Sequence, residues 1–303
     1  MLVSLCIPTN GILEWVIPVL DSIYNQNIDN DLFEVVIADN GNNIDFYYGI
    51  KMYLDKFDNL IYKHTNATGF LNQIECFDMA SGEFIKFINH RMPLINGALE
   101  KFINIARNYR LTKPIVFFTN GTMPSKKTLL EFTDFDNYIS CIGYMSSWSG
   151  GTAIWRNDFK KEELKAYNRL FPHIKYVLSN STCNIYLVDN TKIFYHPQTD
   201  ETKKGNYKLY QAFGLELPMI FLDIKKKNML KQTTYKKVLK QIEKFLAIQY
   251  CELELEKKPC SYDLSDFTDY VSIFFNPHKI IIMAYIRYLK RKTMSSLKNI
   301  LKV

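Results

Sequence analysis

Residues 2–41 read LVSLCIPTNGILEWVIPVLDSIYNQNIDNDLFEVVIADNG. Residues 2–7 are an apolar run rich in strand formers, closed by Pro8. Residues 13–25 place Trp15, Val16, Val19, Leu20 and Ile23 at helical spacing, on one face. Residues 33–38 are again an apolar run, broken only by Glu34, and stop at the turn cluster Asp39-Asn40-Gly41-Asn42-Asn43. A strand, an amphipathic helix and a second strand with no polar face make a βαβ unit. Its parallel sheet is buried on both sides.

The same alternation continues outward. A helix is predicted over 45–56, a strand over 60–63, a helix over 70–80 closed by Ser81-Gly82, and a strand over 83–88. A helix over 94–110 and a strand over 114–118 follow. The fold class is therefore α/β, a Rossmann-like, mainly parallel central sheet flanked by helices. Such sheets bind ligands beyond the carboxyl ends of their strands, which directs attention to the loops after Ile7, Ala38, Lys63 and Ile88.

Residues 120–205 are less regular. A turn at 146–151 precedes a strand over 152–155, and strand-like runs 184–188 and 192–195 flank Asp189-Asn190. Residues 200–206 are polar, and from 207 the chain reads as helical, ending in a basic amphipathic stretch over 279–303. The predicted division is a first domain over 1–205, with a ligand-binding part to about 120, and a helical region over 206–303.

Composition bounds the function. The 303 residues are 47% hydrophobic and 15% aromatic with 12 Gly, which excludes disordered and collagen-like classes. A formal charge of +7 calls for an anionic partner without naming it. The six cysteines are scattered, with no C-x-x-C pair, and read as free thiols in a reducing cytosol. Neither a signal peptide nor a membrane-spanning run is expected, so the chain reads as soluble or peripheral.

Each strand-end loop carries groups suited to a nucleotide. Pro8-Thr9-Asn10 offers a rigid turn, a hydroxyl and an amide, and Asp39 can accept from a base or a ribose hydroxyl. Asn66, Thr68 and Gly69 precede a helix whose N-terminus favours anions. Singly, each is ordinary turn or capping chemistry. Four such loops on one sheet edge are harder to dismiss.

In that order, SLCIPTN (4–10), VVIADNG (35–41) and NATGFLNQIECFDMASGEFIKFI (66–88) resemble family 2 glycosyltransferases of the GT-A fold. The nearest likeness is to bacterial O-antigen transferases of the abequosyltransferase type. Asn72, Ala80, Gly82, Glu83 and Phe84 fit that group's pattern before the fourth strand loosely. Gly150-Gly151 resembles its acceptor-side turn, and Phe171-Pro172-His173 its Tyr-Pro-His segment. The resemblance covers residues 1–205. It implies an inverting transfer from a nucleotide-diphosphate sugar, with Pro8, Thr9, Asn10, Asp39, Asn66, Asn72, Asn89 and His90 around the nucleotide. Trp148, Gly150 and Gly151 fall on the acceptor side. Trp148 either stacks on a sugar or fills the core.

One departure outweighs the matches. Where the family carries an acidic D-x-D or Ser-Asp-Asp motif that holds a divalent cation, this chain reads Asn89-His90-Arg91-Met92-Pro93. A hard cation needs oxygen ligands, and an arginine there would repel it. No metal or other cofactor is therefore expected. Either Arg91, helped by His90, takes over the charge on the leaving diphosphate, or the site binds sugar without turnover.

The base that takes the acceptor's proton is not evident, because residues 170–181 hold no carboxylate. His173 is the candidate, with Asp158 and Asp200 behind it. Lys203 and Lys204 are either a lid over the phosphates or a solvated charge run.

The expected acceptor is a glycan or lipid-linked oligosaccharide of a surface polysaccharide. The C-terminal helix is expected either to lie on the inner face of the cytoplasmic membrane, to pack with its lysines facing water, or to form a homo-oligomer contact. Nucleic acid is not an expected partner. Two other classes stay open: a non-catalytic nucleotide-sugar or glycan-binding subunit, and a transferase of a phosphate-containing group.

Overall fold

The computed structural model describes residues 1–179 and 184–300, with side chains described through 294. Cys183, the last two residues of the 170–181 segment and the end of the 279–303 stretch lie outside the described residues. The chain divides after Thr199 into two units, Met1–Thr199 and Asp200–Val303.

In the first unit the apolar runs form β1 (Val3–Thr9), β2 (Phe33–Asp39), β3 (Leu60–His64) and β4 (Phe84–Phe87). They alternate with α1 (Leu13–Tyr24), α2 (Asp45–Leu54) and α3 (Asn72–Met79). The second half of the unit adds α4 (Ala98–Asn108), β5 (Ile115–Phe118), β6 (Leu129–Phe132), α5 (Phe135–Ile142), β7 (Ala153–Trp155), α6 (Lys161–Tyr167), α7 (Ile174–Val177) and β8 (Tyr186–Asp189).

Two sheets result, one ordered β3-β2-β1-β4-β7 and the other β5-β8-β6. The first is parallel except for β7, which runs antiparallel along β4 with Phe84 opposite Trp155. Its core holds Leu5, Ile7, Val16, Leu20, Val35 and Ile37, all without solvent exposure.

Several elements depart from the periodicity. Residues 114–118 do form a strand, but it belongs to the second sheet. The helix expected from residue 94 starts at Ala98, after Gly97 takes φ +82 and Leu94 is spent in a bridge to Phe194. The strand expected over 192–195 reduces to that single bridge. Asn120 Oδ1 accepts from the N–H groups of both Ile193 and Phe194, consecutive donors that in a strand would point to opposite sides. The expected helix over 70–80 opens with a tight 3₁₀ turn, Gly69–Leu71.

The glycine of the Ser81-Gly82 corner follows from close approach. A Cβ on Gly82 would lie 2.6 Å from Ser4 Oγ. Buried Glu34 anchors the same corner, accepting from Ser4 Oγ, Ser81 and Gly82. Cys6, Cys76 and Cys251 are buried free thiols, while Cys141 and Cys260 are free and partly buried.

The second unit is helical: α8 (Leu217–Lys226), α9 (Gln232–Gln249), α10 (Phe267–Val271) and α11 (Pro277–Ile300). A π-helical segment, Gln211–Glu216, precedes α8, and another, Tyr250–Leu255, continues α9. Ile280 and Ala284 of α11 are fully buried in this unit, where α11 packs on α9 and the segment that continues it.

Candidate functional site

The strand order of the first sheet reverses between β1 and β4, and the carboxyl ends of β1, β2 and β4 lie side by side. This is the crevice in which open α/β sheets place ligands. At its centre Thr9, only 3% exposed, meets the loop after β4. Its Oγ1 accepts from the N–H of Gly11 and stands 2.9 Å from His90 Nδ1. Burial, with the Arg91 charge beside it, pushes the His90 pKa down to about 3, so the ring is neutral at pH 7.

Asp39 ends β2 with 1% exposure. Oδ1 accepts from the N–H of Gly41 at 2.8 Å, and Oδ2 accepts from the Tyr62 hydroxyl at 3.3 Å with His64 Nδ1 at 3.9 Å. Burial raises its pKa, and Gly41, His64 and Tyr62 oppose that rise. Gly41 is forced, since a Cβ there would lie 2.1 Å from Asn10 O. Asn40 Nδ2 donates to Ala67 O, and Asn43 Nδ2 to Gly11 O.

Buried Asn72 ties the loops together. Its Nδ2 donates to Thr9 O at 3.2 Å and to Ala38 O at 2.7 Å, and its Oδ1 accepts from Thr65 Oγ1 at 2.6 Å. Both of its N–H donors are thus used inside the protein. Asn10 and Asn66 are exposed, and Pro8 is half-buried. Of the residues named for the nucleotide, Pro8, Thr9, Asn10, Asp39, Asn72, Asn89 and His90 therefore converge on one edge.

Asn89 Oδ1 accepts from the N–H of Arg91, which shapes the loop after β4. The Arg91 guanidinium sits 5.9 Å from the Trp15 ring centroid, and His90 meets the same ring edge-to-face at 5.1 Å. The segment after β8 runs alongside, with Tyr195 N–H donating to Pro93 O and Ile95 N–H to Ile193 O. It brings His196 into the fields of Arg91 and Lys192, which add to the desolvation that lowers the His196 pKa. The loop beside the crevice is thus cationic. Among the described residues, no three His, Cys, Asp or Glu side chains gather to hold an ion. This donor set does not fit Mg²⁺ or Mn²⁺.

On the other side of β4, Gly150 and Gly151 are buried and spatially required. A Cβ on Gly150 would lie 2.4 Å from Trp148 Cζ2, and one on Gly151 2.4 Å from Phe117 Cζ. Trp148 is partly buried, edge-on to Phe194 at 6.1 Å. The turn is held by Lys86, a fully buried residue of β4. Its Nζ donates to Gly150 O at 2.6 Å, Phe87 O at 2.8 Å and Thr152 O at 3.1 Å, beside the faces of Phe102, Phe118 and Phe194. Burial holds its pKa well below the usual lysine range.

His173 precedes α7 with 3% exposure. Nε2 lies 3.2 Å from Ser146 O, while buried Nδ1 has no partner among the described residues. Burial pushes its pKa down to about 4, partly offset by the carbonyls of Ser146 and Ser147. The unfolded chain, near the ordinary 6.5, binds a proton that the folded one refuses. Stability is therefore full above about 6.5 and declines as pH falls toward 4, by about 3 kcal/mol. Urea denaturation at both ends of that window should show His173→Gln losing about that much less than the wild type. Equal losses would remove the assignment.

The other candidate bases are Asp158 and Asp200. Asp158, exposed and with its pKa raised by desolvation, lines a cavity of about 260 Å³ with Lys113, Lys160, Lys175 and Tyr176. It follows Trp155, which pairs with the first residue of β4, so it is at the end of the sheet away from the strand-end loops. Asp200 belongs to the second unit, where its carboxylate accepts from the N–H and hydroxyl of Thr202 and its pKa is lowered. Lys203 and Lys204 are in the same unit, with Lys204 paired to Glu201.

Trp15, Tyr62, His64, Lys86, Lys192 and His196 were not singled out by motif. Tyr62 and His64 had a usable signal: alternation along β3 puts both on the side of the strand that meets Asp39.

No protein-family model matches the chain, and neither does the sequence of any curated protein. Among solved structures it is similar to S. aureus TarS 1-349 in complex with UDP-GlcNAc. The TM-score is 0.57, with 16% identity over 95% of this chain and 89% of that one. A longer S. aureus TarS structure gives a TM-score of 0.54 and 16% identity, covering 95% of this chain and 54% of that one. The fold is of the GT-A type.

Proposed function

We propose that this chain is an inverting glycosyltransferase, moving a sugar from a nucleotide-diphosphate donor to a surface-polysaccharide intermediate without a divalent metal. One observation carries the reading. At the switch point of a GT-A sheet, a buried carboxylate, Asp39, and a loop made cationic by Arg91, with Lys192 on the neighbouring segment, stand on one edge. The family 2 and abequosyltransferase-type resemblance, and the UDP-GlcNAc bound in TarS, support a nucleotide-sugar donor.

In this reading Asp39 accepts from the base or the ribose, and Thr9 with Asn72 fixes the loops around the nucleoside. The acceptor oxygen attacks the anomeric carbon while the bond to the diphosphate oxygen breaks. Negative charge grows on that oxygen, and the Arg91 guanidinium stabilises it from a fixed position. Gly150, Gly151 and Trp148 form the acceptor side. The acceptor's proton must go to a base, and His173 is neutral at pH 7 and can take one only if Nδ1 becomes accessible.

That buried nitrogen favours the second reading, a binding subunit without turnover. Titration calorimetry with UDP, CDP and GDP, paired with a donor-hydrolysis assay, separates the two. We expect one nucleotide to bind, Asp39→Asn to weaken it about tenfold or more, and slow donor hydrolysis. Binding without hydrolysis or transfer would assign the second reading, and no binding of any nucleotide would remove both.

A further inference from the structure

The helix α11 (Pro277–Ile300) carries an arrangement that the proposed transfer does not use. One face is spent within the second unit: Ile280 and Ala284 are fully buried, and Arg291 pairs with Glu252 and Glu256. At about 100° per residue, Ile282, Tyr285, Ile286 and Leu289 gather on the opposite side. They are 59%, 49%, 50% and 59% exposed. Lys290 flanks this apolar stripe on one edge and Lys292 on the other, both exposed. The helix holds no Asp or Glu along its whole length. Lys279 at its start is paired with Glu243.

We propose that this face of α11 docks flat on an anionic membrane surface, with the four apolar side chains in the acyl boundary and the lysines at the phosphates. The chemistry of the rim selects this occupant. A second copy of the same face would bring two lysine-rimmed surfaces together, with no carboxylate on either helix to relieve the repulsion. Anionic headgroups supply the missing charge, and lysine stems lie along apolar surface while their ammonium groups stay wet. No described helix is long and apolar enough to cross a membrane, so the attachment is one of lying on the surface. This inference rests on α11 alone and stands whether or not the chain transfers sugar.

Sedimentation of the full chain with vesicles tests it. Phosphatidylcholine vesicles containing about one third phosphatidylglycerol should carry the protein down, and phosphatidylcholine alone should not. Raising salt to about 0.5 M should release it. Lys290→Glu with Lys292→Glu should lower the partition coefficient about tenfold or more, and Ile286→Ser with Leu289→Ser by a similar factor. These positions are exposed, so circular dichroism should show both variants folded as the wild type. Absence of the wild type from the pellet, or unchanged binding by both folded variants, would overturn the proposal. So would a dimer in sedimentation velocity that Leu289→Ser makes monomeric without any vesicle binding, because a second copy would then cover the face.

Discussion

Arg91→Ala should lower the rate of sugar transfer about 10³-fold, the loss typical of removing a cation that stabilises charge on a transferring phosphate. The fall should appear mainly in kcat. The charge that Arg91 meets grows as the leaving diphosphate separates, and ground-state binding also draws on Asp39 and the loops around it. Arg91→Lys should recover part of the rate, because a point charge replaces the fork without its two-oxygen grip. Wild-type activity should survive EDTA, since the loop after β4 offers an amide, a neutral imidazole and a guanidinium, with no carboxylate. Turnover abolished by EDTA and restored by Mn²⁺ would end the charge-replacement reading, as would an Arg91→Ala enzyme of normal kcat.

The second large effect concerns stability. Lys86→Met keeps the length and apolar stem of the side chain but removes all three N–H donors. Gly150 O, in a buried turn, then loses the donor that Lys86 gives it, and the three aromatic faces lose their cation. Against this, the variant no longer has to desolvate a charge. An orphaned buried carbonyl costs about 1–3 kcal/mol and a desolvated cation–π contact about 2 or more, so a net loss of about 3 kcal/mol is expected in urea denaturation. Three carbonyls match the three N–H groups of an ammonium, where a neutral amine offers two. A variant as stable as the wild type would show that the turn at Gly150 and Gly151 stands without the lysine.

The central sheet was legible because β1 and β2 are mostly apolar and buried, and the helix between them repeats at helical spacing. Those two patterns have no other economical burial. The second sheet was not. In β6 the residues alternate between exposed and half-buried, so Leu129–Phe132 carries no apolar run to mark it. The pairing of β5 with β8 closes over a long stretch of chain that periodicity does not span.

The site divided in the same way. Thr9 and Asp39 end strands, and strand ends are readable. His196 comes into the fields of Arg91 and Lys192 because Asn120 captures the N–H groups of Ile193 and Phe194 and holds that segment against residues 93–95. A tertiary contact of this kind leaves no local trace in composition or spacing. The environment of His173 is equally tertiary, since its burial comes from the turn at 143–147 folding over it.

Asn72 has a consequence for how a ligand would arrive. One amide stitches the backbone at Thr9, the backbone at Ala38 and the hydroxyl of Thr65, so the walls beside Asp39 share a single anchor before anything is bound. Such a pocket has little order left to acquire. The entropy of gathering loops has already been surrendered during folding, and a nucleoside entering it gives up mainly its own tumbling. Capture then behaves as a key meeting a finished lock, with the on-rate set by diffusion and the cationic field of Arg91 and Lys192 instead of by a slow closure.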